Sequence, residues 1–254
     1  MPASADFKLS ISRALTDQLR DALHQLEPAS LMAEHLDKIE PRQGVYQLYL
    51  GGDLVYVGSA SASLRDRLTE HMWKVAGRQN IAADEVQFTC LYVDEDLTVL
   101  APEERLIRVF QDEGSCAWNG MGFGLHDPGR NRDSTVLRDN HFDLAYPIRL
   151  DWVCEGIAAG TYTVLDMLAG LKRELPYNFR YKNDAAARSE YAFVSVDVPD
   201  DNMTALALFE LIAAALPAYQ ITSLPGYVIM YKESGSYPQG HVIRPEDRID
   251  PSGP

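Results

Sequence analysis

Residues 44–71 read GVYQLYLGGDLVYVGSASASLRDRLTEH. Two aromatic, β-branched runs flank Gly51-Gly52, and a Leu- and Arg-rich segment follows. That order predicts a β-hairpin running into a helix. The register of the hairpin decides what its tyrosines can do. A two-residue Gly51-Gly52 turn opposes Tyr56 to Gln47 and sends Tyr46 and Tyr56 to opposite faces. A three-residue Gly51-Gly52-Asp53 loop opposes Tyr56 to Leu48 instead, and Tyr46 then lies two residues along on the same face. Joint action of the two phenols requires that longer loop. Without it they are ordinary strand formers.

The helix after the hairpin has Ser61 or Ser63 as its N-cap and Gly77 as its stop. Arg67, His71, Lys74 and Arg78 fall at i, i+4, i+7 and i+11, on one face of such a helix. Leu64, Leu68, Met72 and Val75 form a separate apolar stripe that can pack on the sheet. The plain alternative for the cationic stripe is a solvated helix face.

Together these residues resemble the GIY-YIG nuclease superfamily. Its two hallmark tripeptides match Gly44-Val45-Tyr46 and Tyr56-Val57-Gly58, with Val45 in place of the usual Ile. The family's arginine falls on Arg67. Its metal-binding carboxylate falls on Glu103, which Leu106 and Ile107 follow at the family's spacing, with Glu104 as the rival. Its asparagine falls on Asn119. His71 and the stretch WNGMGFGLHDPGRNR (118–132) are similar to the type II restriction endonuclease branch. The resemblance covers about residues 40–147.

It implies an α+β module with a three-stranded antiparallel sheet flanked by helices. It further implies hydrolysis of DNA phosphodiester bonds to 5′-phosphate and 3′-hydroxyl ends, in a cytoplasmic bacterial enzyme of restriction-modification and phage defence. One Mg²⁺ (or Mn²⁺) per site would sit on Glu103, and Arg67 would hold the scissile phosphate. Tyr46 is the general base or water-orienting group, helped by His71, and Tyr56 is a phosphate or water ligand. Between Tyr46 and His71 the base stays open, because imidazole titrates near neutrality and a phenol needs a neighbouring cation. Gly58, Ser59, Lys74, Arg78, Arg130 and Arg132 are the candidate substrate contacts. A palindromic double-stranded target would match a symmetric homodimer.

The rest of the chain sorts into expected segments. Residues 1–40 form an N-terminal helical segment, with helices over 10–26 and 29–39. The nuclease module spans 41–147, with a strand at 86–93, a helix at 98–114 and then a long Gly-, Asn- and Pro-rich loop. From 148 to 234 a strand (IRLDWV), a helix (161–174), a strand (EYAFVSVDV, 190–198), a helix (203–216) and a strand (226–231) suggest a second α+β domain of ferredoxin-like order. Residues 235–254 read as a Pro-rich flexible tail.

Composition narrows the partners. The 254-residue chain carries a formal net charge of −14, with 14 basic against 23 acidic residues up to Tyr146 and 9 against 14 beyond it. Both halves are acidic, so a nucleic-acid site must be a local patch. No apolar run approaches a membrane span, the N-terminus lacks a signal-peptide pattern, and Cys90, Cys116 and Cys154 make no metal-ligand spacing. Two other functions compete with restriction. One is a structure-specific repair or other defence nuclease, and the other a non-catalytic, nuclease-derived binding protein.

Overall fold

Strand alternation sorts the hairpin's side chains into two layers, one apolar and one carrying the phenols. A computed structural model describes residues 10–93, 107–110, 116–124 and 129–245. The chain divides into two units, Met1–Ala76 with Ile81–Gly124, and Gly77–Asn80 with Leu125–Pro254. The expected boundary at 147 therefore lies earlier, and four residues after the first helix of the hairpin motif belong to the second unit.

The first unit runs α1 (Ile11–His24), β1 (Ala29–Ser30), α2 (Ala33–Leu36), β2 (Gly44–Leu50), β3 (Asp53–Ala60), α3 (Leu64–Ala76) and β4 (Val86–Tyr92). Its antiparallel sheet has the order β1-β4-β2-β3. The second expected helix is a single turn, and Ala29–Ser30 instead pair with Phe88 and Gln87 as a fourth, two-residue strand. Val45 and Val57 pack with Leu19, Leu23 and Phe110, so the N-terminal helix closes one face of the sheet rather than forming a separate segment. Each such buried Leu or Phe contributes about 1.5–3 kcal/mol. Residues 107–110 are helical, and the remainder of the helix expected at 98–114 lies outside the described residues.

The hairpin reaches the expected register by a different route. Gly51 and Gly52 both have positive φ (60° and 88°), as a two-residue type I′ turn requires, and Leu50 pairs with Asp53 and Tyr49 with Leu54. The register then shifts between Leu48 and Tyr49: Leu48 opposes Tyr56 and Tyr46 opposes Gly58. Val55 is the extra residue, so the odd count sits in a bulge within β3 and not in the loop at Asp53. A type I′ turn matches the twist of the strands, and the bulge carries the shift that puts both tyrosines on one face. The first tripeptide's glycine has its own cause, since a Cβ on Gly44 would lie 2.1 Å from the Leu91 carbonyl oxygen.

β3 is the outer strand of this sheet, and the segment 116–119 lines its edge. Cys116 N–H donates to Leu54 O and Trp118 N–H to Val55 O, both at 2.9 Å, at the bulge itself. An edge strand presents unpaired backbone groups, and these bonds satisfy two of them.

The second unit contains α4 (Phe142–Ala145), β5 (Gly160–Thr163), α5 (Val164–Glu174), β6 (Asn178–Tyr181), α6 (Ala185–Phe193), β7 (Ser195–Val198), α7 (Ala205–Ala215), β8 (Gln220–Ser223), β9 (Tyr227–Tyr231) and β10 (His241–Ile243). Thr163, Asp184 and Thr204 cap α5, α6 and α7 by accepting from the backbone N–H three residues on. One sheet has the order β10-β8-β9-β6, with β6 parallel to β9, and β5 pairs only with β7. A ferredoxin-like domain has one antiparallel sheet, so that expectation is corrected. The core joins α5, α6 and α7 to the faces carrying Phe179, Val228, Met230 and Ile221.

Three local readings also change. IRLDWV makes only isolated bridges, at Ile148 and Val153. EYAFVSVDV is helical through Phe193 and extended only from Ser195, because the Asp184 cap starts a helix in the Ala-rich run before it. His241–Ile243, in the expected tail, pairs with β8. Residues 246–254 lie outside the described residues.

The turn makes a direct test. Gly52→Ala places a Cβ at φ 88°, and the expected cost is about 1 kcal/mol, read as a lower midpoint in denaturant with an unchanged slope.

Candidate active site

Four of the expected residues converge on one face of the first unit's sheet. Tyr46 comes from β2, Tyr56 from β3, and Arg67 and His71 from α3. Ser63 starts that helix, its side chain accepting from Asp66 N–H at 3.1 Å. One turn separates Arg67 from His71, so both reach the same phenol. The Tyr46 hydroxyl lies 2.6 Å from His71 Nε2, and Arg67 Nε donates to the same oxygen at 3.4 Å. Tyr56 completes the group, its ring centroid 6.1 Å from Tyr46 and 5.6 Å from His71.

Gly58 explains how the phenol fits. A Cβ there would stand 2.4 Å from the Tyr46 oxygen and 2.8 Å from the Tyr56 ring. The second tripeptide's glycine is thus a space left for the first tripeptide's tyrosine. Gly58 shapes the site from below and presents no side chain of its own.

His71 is fully buried. Burial first, then the charges of Arg67 and Lys74, hold its pKa well below the ordinary 6.5, so the ring is neutral at pH 7. A neutral imidazole carries one proton. Arg67 donates into the phenol oxygen, and the arrangement in which the phenol donates to Nε2 carries the ring proton on Nδ1. Nδ1 has no hydrogen-bond partner among the described residues. An unsatisfied buried nitrogen costs about 1–3 kcal/mol.

Asn119 supports the group from outside. Its Nδ2 donates to Val57 O at 2.8 Å and its Oδ1 accepts Val57 N–H at 2.9 Å. The side-chain amide takes the place of a neighbouring strand and fixes the backbone between Tyr56 and Gly58. Both of its bonds go to the Val57 backbone rather than to the phenol–imidazole group.

The remaining candidates are placed elsewhere. Ser59 pairs with Val45 and shares the face of Val57, because side chains alternate along β3. Lys74 is buried and points its ammonium at the carbonyls of Gly122, Phe123 and Gly124 at 3.3, 2.7 and 2.9 Å, away from any open substrate face. The helix ends at Ala76, so Arg78 is not on the cationic stripe. It lies in the second unit, buried, 3.0 Å from Asp143. Burial lowers its pKa against the opposing pull of Asp143.

Arg130 and Arg132 also belong to the second unit. Arg130 is exposed and grips Glu233 at 2.6 and 2.8 Å, and Arg132 contacts His141 Nε2. The next residue, Asp133, is buried, accepting from Arg180 at 2.5 Å and from the hydroxyls of Tyr227 at 2.8 Å and Tyr231 at 3.3 Å. Its partners lie 47 to 98 residues away along the chain, so no local pattern marks Asp133 as buried.

Glu103 and Glu104, the expected metal ligands, lie outside the described residues, as does His126. Among the described residues no three His, Cys, Asp or Glu side chains gather as a metal cage. Glu70 is paired with Arg67 at 3.3 Å. One residue that sequence reasoning missed is Phe123, whose ring stacks on His71 at 4.8 Å and 21°. Its only signal was an aromatic residue between glycines shortly after Asn119.

Two outcomes are expected. Gly58→Ala should displace the Tyr46 phenol, costing about 1–3 kcal/mol and breaking its bond to His71, which a crystal structure or the tyrosine absorbance would report. A histidine whose folded pKa is depressed takes up protons more readily when unfolded. Stability is therefore full above pH 6.5 and falls below it, by about 1.4 kcal/mol per pH unit from this group. Denaturant titrations between pH 5 and 7 should show that slope in the native chain and a shallower one in His71→Gln. No known protein family and no curated protein matches this chain.

Proposed function

We propose that the first unit is a DNA endonuclease module that hydrolyses phosphodiester bonds to 5′-phosphate and 3′-hydroxyl ends. The observation that carries this reading is the Tyr46 hydroxyl, held between His71 Nε2 and Arg67 Nε beside Tyr56. A phenol that can pass its proton to a neutral imidazole can accept one from an attacking water, and a positioned acid–base pair of this kind contributes about 10²–10⁴-fold. Arg67 is partly exposed, and its fork of donors suits a non-bridging phosphate oxygen, where positive charge offsets the charge that builds in the transition state.

The resemblance adds a divalent ion on Glu103. A single carboxylate suits Mg²⁺, which keeps most of its waters, and the ion would supply charge at the leaving oxygen. The protein's own residues hold the phosphate through Arg67, orient water through Tyr46 and Tyr56, and store the transferred proton on His71. In this reading the chain acts as a restriction-type homodimer on double-stranded DNA, with the second unit free to contribute target contacts. Among the described residues no helix is long and apolar enough to cross a membrane.

The purified full chain should convert supercoiled plasmid to discrete linear fragments with Mg²⁺, and lose this activity in EDTA. Tyr46→Phe keeps the ring and removes the proton carrier, and Arg67→Ala removes the phosphate donor. Each should lower cleavage by about 10²-fold or more with far-UV dichroism unchanged. Full activity in both variants would refute the assignment. Cutting confined to branched or single-stranded substrates would shift it to a repair nuclease.

A further inference from the structure

Lys74 and Phe123 have no role in the proposed reaction, yet both are buried, Phe123 against its proton acceptor and Lys74 against Phe123. The Phe123 ring stacks on His71 at 4.8 Å and meets Tyr56 at 4.9 Å and Trp118 at 4.8 Å. It reaches that position from the segment Asn119–Gly124, which Asn119 ties to Val57 at its start. Gly120 and Gly122 have φ of 74° and 94°, and the backbone turns so that three successive carbonyls converge on one point. Lys74 fills that point. Its Nζ donates to all three, 5.1 Å from the Phe123 ring centroid, from a helix position one turn after His71.

We propose that Lys74 and Phe123 are positioning residues for the Tyr46–His71 pair: Lys74 ties down the 122–124 segment, and the clamped Phe123 ring keeps His71 dry with Nε2 as acceptor for the Tyr46 proton. This rests on the reading of Tyr46 and His71 as the acid–base pair. The charged and titratable groups facing His71 among the described residues are Tyr46 from β2, Tyr56 from β3, and Arg67 and Lys74 from α3. Glu70 on the same helix is engaged by Arg67. Admitting water beside His71 and removing the Lys74 charge act in one direction, toward easier protonation of the ring. A protonated His71 cannot take the phenol proton.

The test needs no substrate. Histidine-ring ¹⁵N–¹H correlation spectra of the metal-free full chain, recorded from pH 4.5 to 8, read both tautomer and titration midpoint, with His71→Gln used to assign the signal. The native protein should show the proton on Nδ1 and a midpoint well below 6.5. Phe123→Ala and Lys74→Met should move that midpoint up toward 6.5, while Phe123→Leu and Lys74→Arg, which keep the site dry or clamped, should hold it down. In plasmid cleavage with Mg²⁺, a midpoint near 6.5 predicts about a fourfold lower rate at pH 6 than at pH 8.

A native His71 with its proton on Nε2, or titrating near 6.5, would overturn the proposal even if every variant failed to fold. So would an unmoved midpoint in a folded Phe123→Ala. The two readings separate cleanly. Expected spectra with no cleavage would leave the clamp standing and remove the nuclease, and cleavage with unmoved spectra would do the reverse.

Discussion

One extra residue in β3 governs the first unit. The hairpin turns through two glycines, and that turn alone would send Tyr46 and Tyr56 to opposite sides of the sheet. Val55 bulges, the alternation skips once, and from Tyr56 onward every side chain changes face. Without the bulge Gly58 would not lie beneath the Tyr46 phenol, and Tyr56 would not meet Phe123. The backbone donors of Cys116 and Trp118 fall on Leu54 and Val55 themselves, so the following segment reads the bulge as its docking point. The same segment then supplies Asn119 to hold Val57 and Phe123 to cover His71. Strand register, edge protection and the environment of the imidazole are consequences of one local choice.

How much of this was legible depends on the range of the interaction. The strands at 44–50, 53–60 and 86–92, the helix at 64–76 and its cap at Ser63 follow from alternation, glycine placement and local hydrogen bonding, all visible over a few residues. The shared face of the two tyrosines was legible as a requirement, but its device was not, because a bulge and a longer loop leave the same count between Tyr46 and Tyr56. Asn119 falls in the expected neighbourhood, and only the folded edge shows its contact, since the outer side of Val57 faces no further strand among the described residues. Lys74 and Arg78 failed for a simpler reason. Helical periodicity places a charge on a face but cannot tell that carbonyls of a distant loop, or a part-buried carboxylate, wait there.

The second unit was harder, and the physical cause is visible in its strands. Several are three or four residues long, and their periodicity carries little information over such windows. EYAFVSVDV has strong strand propensity throughout, yet its first half completes a capped helix whose start lies before the window. The parallel pairing of β6 with β9 joins residues about fifty apart, which no local pattern encodes.

Asp133 holds the segment 129–141 against β6 and β9 through Arg180, Tyr227 and Tyr231. Most of residues 134–140 are exposed, with Val136 at 66% and Arg138 outward. What fastens the segment is thereby separate from what it displays. Such a segment is a cassette: its outward side chains can change while Asp133, the Arg130–Glu233 pair and the Leu137 backbone bond to Gln239 keep it seated.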